Sequence, residues 1–190
     1  MDVSNIITTP VILSAIPVFF LFIIAEIIAV RYFNQRGSLH AKDDSVSIFM
    51  GLFSVLTNGA AAFLTLGMLV WAQQFQIYAL PLTWTTLIAC FVADDLRYYL
   101  HHRIAHRCRW PWAMHIIHHS SQRISFAVAL RQGWTKHFTG TTILKVPLVL
   151  IGFDPLMVIF CGALNAVYQF FLHTDTCLLY TSDAADEHGC

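Results

Sequence analysis

Long apolar runs alternate with short polar breaks along the first half of the chain. Residues 10–30, "PVILSAIPVFFLFIIAEIIAV", carry a single charge, Glu26, and match the roughly 20 apolar residues that a helix needs to cross a hydrocarbon core. Residues 48–72 form a second such run, in which Gly51, Gly59, Ala60, Ala61, Ala62 and Gly67 would let a neighbouring helix approach closely. A third, residues 80–100, is apolar through Val92 and then turns polar at "ADDLRYYLHH", so its C-terminal end is expected to leave the membrane. Further on, "FTGTTILKVPLVLIG" and "PLMVIFCGALNAVYQFFL" flank "GFDP", whose Gly, Asp and Pro predict a turn between the two arms of a helical hairpin, the first short and interrupted by Pro147. The first run is too long for the apolar stretch of a signal peptide. It also lacks a basic segment before it and a small-residue cleavage site after it, so it reads as a retained span.

Composition agrees with this pattern. Hydrophobic residues make up 57% of the 190, charged residues only 12%, and the mean hydropathy is +0.62, values foreign to an ordinary soluble domain. The expected fold class is an all-α integral membrane protein with about four to five membrane-embedded helices and a histidine-rich cap. Eleven Lys and Arg balance eleven Asp and Glu, leaving no basic surplus to hold a phosphate backbone, so nucleic acid is not an expected partner. Arg31, Arg36 and Lys42 lie in the first loop, and Arg97, Arg103, Arg107, Arg109, Arg123, Arg131 and Lys136 in the histidine-bearing segment, whereas residues 73–79 contain neither Lys nor Arg. The positive-inside rule therefore puts the cap in the cytoplasm of a multi-pass protein. The five cysteines are scattered without a CxxC pair and predict no disulfide framework.

The remaining chemistry is concentrated in "YYLHHRIAHRCRWPWAMHIIHH", which holds six of the ten histidines. His102 and His106, four apart, would share one helix face, and so would His115, His118 and His119 at i, i+3 and i+4. Pro111, between Trp110 and Trp112, predicts a break that lets the two clusters face each other. Five adjacent imidazoles serve no packing purpose in an apolar protein, but neutral imidazole is a good ligand for Fe, Zn, Cu and Ni. A structural zinc site would ordinarily include thiolate, and Cys108 is the one cysteine nearby. More imidazoles than one zinc can use point to two metals or an open redox site. A polytopic metal-binding or transport protein without oxygenase activity is the alternative, although transporters place ligands at mid-membrane rather than in an Arg-rich cap.

The stretches "DDLRYYLHHRIAH", "WAMHIIHHSSQ" and "ALRQGW" resemble the fatty acid hydroxylase/sterol desaturase superfamily, in particular its bacterial sterol desaturase and alkylglycerol monooxygenase-like branch. The specific motifs cover residues 93–174. The resemblance implies a helical membrane base, a cytoplasmic cap with two Fe ions held by histidines, and O2-dependent hydroxylation or desaturation of a fatty acyl, sterol or ether lipid, with electrons from an external donor. On it, HxxxH falls on His102 and His106, HxxHH on His115, His118 and His119, and the lone histidine of an "HT" segment on His173. Asp95, seven residues before His102, matches an acidic position expected to orient an imidazole from outside the ligand set. Ser125 stands where the branch usually has Asn and is a second such outer contact. His101 sits about 100° around the helix from His102 and is expected to point away from the metals.

A further HxxHH motif would follow His173 by several tens of residues in that family. In its place stands "CLLYTSDAADE", which resembles the translation of a transposase sequencing adapter. Residues 1–176 are thus expected to be a partial membrane domain and residues 177–190 a non-native tail, excluding Cys177, His188 and Cys190 from any site and leaving this chain an inactive fragment.

Overall fold

The computed structural model describes residues 2–33 and 39–174. The tail from Cys177, like Arg36 of the first loop, lies outside the described residues. Those described form helices and turns with no strand: α1 (Val3–Ile6), α2 (Val11–Tyr32), α3 (Ala41–Gln73), α4 (Trp84–Arg107), α5 (Arg109–His115), α6 (Phe126–Ala129), α7 (Val146–Ile151) and α8 (Pro155–Phe171), with short 3-10 turns at His118–Ser120, Lys136–Thr139 and Ile143–Lys145.

α2 is apolar on every side, and its packing face is the stripe Ala15, Phe19, Ile23 and Glu26, spaced by four, four and three residues. The helix therefore turns Glu26 inward and leaves Leu13, Leu21, Ile24 and Ile28 uncovered. α3 behaves alike, with Phe63 and Leu64 about four-fifths exposed. A core helix of a soluble protein would bury such residues, and these uncovered faces match the apolar surface of a membrane-crossing helix.

Two described helices, α2 and α3, are long and apolar enough to cross a membrane by length and composition. The other members of the four to five expected differ in kind. α4 has the length, but its second half carries Asp94, Asp95, Arg97 and the histidines. α8 is apolar but 17 residues long. α7, the first arm of the hairpin, is six residues, about 9 Å at 1.5 Å per residue, and cannot span alone.

Two clusters form the core. One joins α1, α3, α4, α7 and α8 through Leu69, Leu87, Cys90, Val149, Met157 and Cys161; the other joins α2, α6 and α8 through Phe19, Ile23, Phe126 and Phe170. The "GFDP" turn forms as expected: Asp154 caps α8 by accepting from the amides of Leu156 at 2.8 Å and Met157 at 3.2 Å. Gly152 has φ 129°, and a Cβ there would lie 2.1 Å from the Tyr78 carbonyl oxygen, so only glycine fits. At 33 residues α3 is about 50 Å long against a hydrocarbon core of about 30 Å. Its polar first turns consequently extend into the cap.

Of the small residues in α3, Gly51 alone among its glycines touches a neighbour. A Cβ there would lie 2.7 Å from Leu130 Cβ and 2.9 Å from Leu130 O, whereas Gly59 and Gly67 face open space. Gly51→Ala should lower stability by about 1–3 kcal/mol through overpacking, and Gly59→Ala should be neutral or raise it by up to about 1 kcal/mol through helix propensity. Thermal unfolding of the detergent-solubilised protein measures both, and equal effects would contradict the packing described.

Candidate metal centre

α4 carries His102 and His106 one turn apart, and their Nε2 atoms lie 2.9 Å from each other. α4 ends at Arg107, and Cys108 is extended (φ −115°, ψ 129°), so the chain turns there rather than at Pro111, which sits in the first turn of α5. α5 returns across α4 and delivers His115, whose Nε2 is 3.2 Å from that of His106. His119 follows, 3.0 Å from His115, again Nε2 to Nε2. Ligand nitrogens of His102, His106, His115 and His119 all lie within 4.8 Å of one another.

His118 does not join this group. The helix ends at His115 and a 3-10 turn follows at His118–Ser120, which breaks the single face expected of HxxHH and swings His118 toward α8. There its Nε2 meets that of His173 at 3.0 Å. The two groups adjoin, with ring centroids of His118 and His119 at 5.2 Å and of His115 and His118 at 5.6 Å. The structure thus brings together all six histidines singled out from the sequence. His101 faces the other way, its Nε2 bonded to Thr141 Oγ1 at 2.9 Å and Thr139 Oγ1 at 3.2 Å.

The donor set fits metal ions. Two imidazoles bound to one metal at about 2.0–2.1 Å and about 90° apart have nitrogens about 2.9 Å from each other, close to the 2.9–3.2 Å found here. Burial, followed by the neighbouring imidazoles His102, His118, His119 and His106, pushes the His115 pKa down to about 2. It is therefore neutral at physiological pH, the form that ligates. Two rings also have their tautomer fixed: His118 Nδ1 donates to the Arg131 carbonyl at 3.2 Å and His173 Nδ1 to the Gln169 carbonyl at 2.7 Å, so in each the nitrogen turned toward the other ring is Nε2, with its lone pair. Trp112 lies against His106 and His119, with centroids 5.5 and 5.6 Å away, and walls the four-histidine group on that side.

Sequence reasoning counted Arg131 only as a loop cation. It is 5% exposed and joins three segments: its guanidinium pairs with the Asp43 carboxylate at the start of α3 and donates to Ser47 Oγ at 3.1 Å and to Ser120 Oγ at 2.9 Å, next to His119. Ser121 Oγ adds a bond to Asp43 Oδ2 at 2.7 Å. The signal was present in "HHSS" and "ALRQGW", but Asp43 is remote in sequence and nothing local links it to them. Asp95 bonds Asn165 Nδ2 at 3.2 Å, and Asn165 in turn bonds Gln169 at 3.4 Å, so it approaches His173 by way of α8. Ser125 Oγ caps α6, accepting from the Val128 amide at 3.2 Å.

The fatty acid hydroxylase family matches residues 87–188, which takes in α4 from Leu87 onward and every histidine of the site. The match runs on into the segment expected to be a tail. The chain is 30% identical over 164 residues to an alkylglycerol monooxygenase of Danio rerio, covering 85% of this chain and 36% of that protein. It is 29% identical over 158 residues to one of Caenorhabditis elegans, covering 80% and 30%, and 30% identical over 165 residues to the human one, covering 85% and 36%. No solved structure matches. The fold and its imidazole cluster are thus those of a helical membrane protein able to hold metal, and the chain belongs to the fatty acid hydroxylase family. It spans about a third of the length of these curated relatives.

Arg131→Met should release the Asp43 carboxylate from its partner and detach the 118–121 turn from α3. Removing one member of a buried ion pair costs about 3–5 kcal/mol; with Asp43 about a quarter exposed, the lower end is expected, together with weakened metal binding. Arg131→Lys should recover little, because an ammonium cannot supply the forked donors. Unfolding midpoints and metal titrations check this, and a neutral Arg131→Met would contradict it.

Proposed function

We propose that this chain is the metal-binding part of a lipid-modifying membrane di-iron oxygenase that hydroxylates or desaturates a fatty acyl, sterol or ether lipid with O2. The observation that carries the reading is the convergence of six imidazole Nε2 atoms as a group of four and an adjoining pair. Family membership supports it, and so does the printed activity of the relatives, alkylglycerol monooxygenase.

His102, His106, His115 and His119 would hold one iron, and His118 with His173 would hold the other. Bound there and supplied with electrons by an external donor, the irons contribute the oxidising power needed against an unactivated C–H bond. The protein's own contribution is positional. Arg131 and Gln169 fix the His118 and His173 tautomers through their carbonyls, Asp95 and Asn165 steady α8 against α4, and Trp112 limits water on one flank. Ser125 acts from further out, holding the loop after the histidines. A lipid reaches the site from the bilayer along the uncovered faces of α2 and α3. In this reading the polar half of α4 and the end of α8 enter the cytoplasmic cap while their apolar parts remain embedded, giving a multi-pass protein.

The contrast between His118 and His101 tests the assignment. In the complete oxygenase of which this chain is the metal-binding part, His118→Ala should reduce iron from two per chain and abolish oxidation of a lipid mixture, followed by mass spectrometry with reductant and O2. His101→Phe should retain iron and lose only the bonds to Thr139 and Thr141, a stability cost within the roughly 0.5–3 kcal/mol of ordinary substitutions. Elemental analysis provides a readout independent of turnover. Equal iron in the two variants, or loss in His101→Phe alone, would contradict the ligand assignment.

A further inference from the structure

Glu26 is a carboxyl group within an apolar span, 8% exposed, and no role in the site described so far accounts for it. An ionisable side chain inside a membrane is costly and is retained where it has partners to serve. Two of its partners are specific. Oε1 accepts from Thr174 Oγ1 at 2.5 Å and Oε2 accepts from the Phe126 amide at 2.9 Å. Thr174 directly follows His173, which lies just beyond the last residue of α8 and is tied to the end of that helix by its amide, which donates to the Phe170 carbonyl at 3.2 Å. Phe126 opens α6, the element that leads to Arg131.

The contact is built rather than incidental. Phe19 of α2 packs against Phe170 with tilted rings 4.2 Å apart, and Phe126 stacks on Phe170 at 5.0 Å, so the face of α2 that carries Glu26 is packed against the end of α8 from which His173 emerges. His173 is consequently held at three points: its amide by the Phe170 carbonyl, its ring by the Gln169 carbonyl, and the chain just after it by the bond of Thr174 to α2, the one of the three that comes from outside α8.

We propose that Glu26 is a positioning residue for the His118/His173 pair: through Thr174 it fixes His173 at 3.0 Å from His118 and so sets the metal affinity of that pair from the membrane span. The proposal rests on the reading of His118 and His173 as ligands. A carboxyl group suits the task because its two oxygens accept from two segments at once, and a glutamine can do the same, its oxygen accepting from the Phe126 amide while its NH2 donates to the Thr174 hydroxyl.

The test is titration of the full, detergent-solubilised chain with Co(II) alone, followed by the optical bands of imidazole-bound cobalt. Glu26→Ala and Thr174→Val should each weaken binding at the weaker site by about 10- to 100-fold, the usual effect of losing a group that orients a ligand. Glu26→Gln should remain close to wild type. Glu26→Ala/His173→Ala should bind no more weakly than His173→Ala alone, because both changes act through one ligand. Additive losses would mean that Glu26 supports the fold generally and would overturn the proposal, as would unchanged affinity in Thr174→Val while His173→Ala is impaired; in that last case the ligand assignment stands. Wild-type cobalt binding in His173→Ala would remove the assignment itself and the proposal with it. Thr174→Val leaves the carboxyl group and the Phe126 bond intact, so it carries the test even where Glu26→Ala does not fold.

Discussion

Imidazole nitrogens held about 3 Å apart face one another lone pair to lone pair unless a proton or a metal lies between them. Six rings in that arrangement do not hold themselves together, and the surrounding fold supplies the restraint. One helical turn of α4 sets the His102–His106 spacing, and the fold-back at Cys108 sets His115 against them. The 3-10 turn after α5 splits His118 from His119. Each of these is a backbone decision, enforced by hydrogen bonds at the cap's edges.

Arg131 ties the histidine segment to the first turns of α3. An α-helix longer than the hydrocarbon core is thick must put its surplus turns somewhere, and α3 places Asp43 and Ser47 where they engage the Arg131 guanidinium. The carbonyl of the same arginine fixes His118. A long apolar helix and the His118 tautomer thus depend on one residue. α2 makes the second such link through its inward stripe ending at Glu26.

Much of this was legible in the sequence, and for identifiable reasons. Apolar runs predicted α2 and α3 because lipid-facing helices need no amphipathic pattern. His102 and His106 were readable because helical periodicity governs a four-residue spacing, and GFDP because turn chemistry is local. His118 was misplaced onto the face of His115 and His119 because the helix ends at His115, a boundary that spacing does not reveal. The first arm was expected to be short and interrupted by Pro147; it is short, and Pro147 stands in its first turn, where a missing amide costs no helical bond. Arg131 and Asp43 stand 88 residues apart and meet only through tertiary structure, so no local pattern announces the pair. Gly51 was grouped with Gly59 and Gly67 although only its position faces Leu130.

The central claim is that the clustered Nε2 atoms are metal ligands. X-ray absorption at the iron edge of the anaerobically loaded, full chain addresses it directly. The account predicts a first shell of nitrogen and oxygen at about 2.0–2.2 Å with the outer-shell scattering that imidazole rings produce, both lost in a His106→Ala/His115→Ala variant. Iron bound through sulfur, or bound without imidazole scattering, would contradict it.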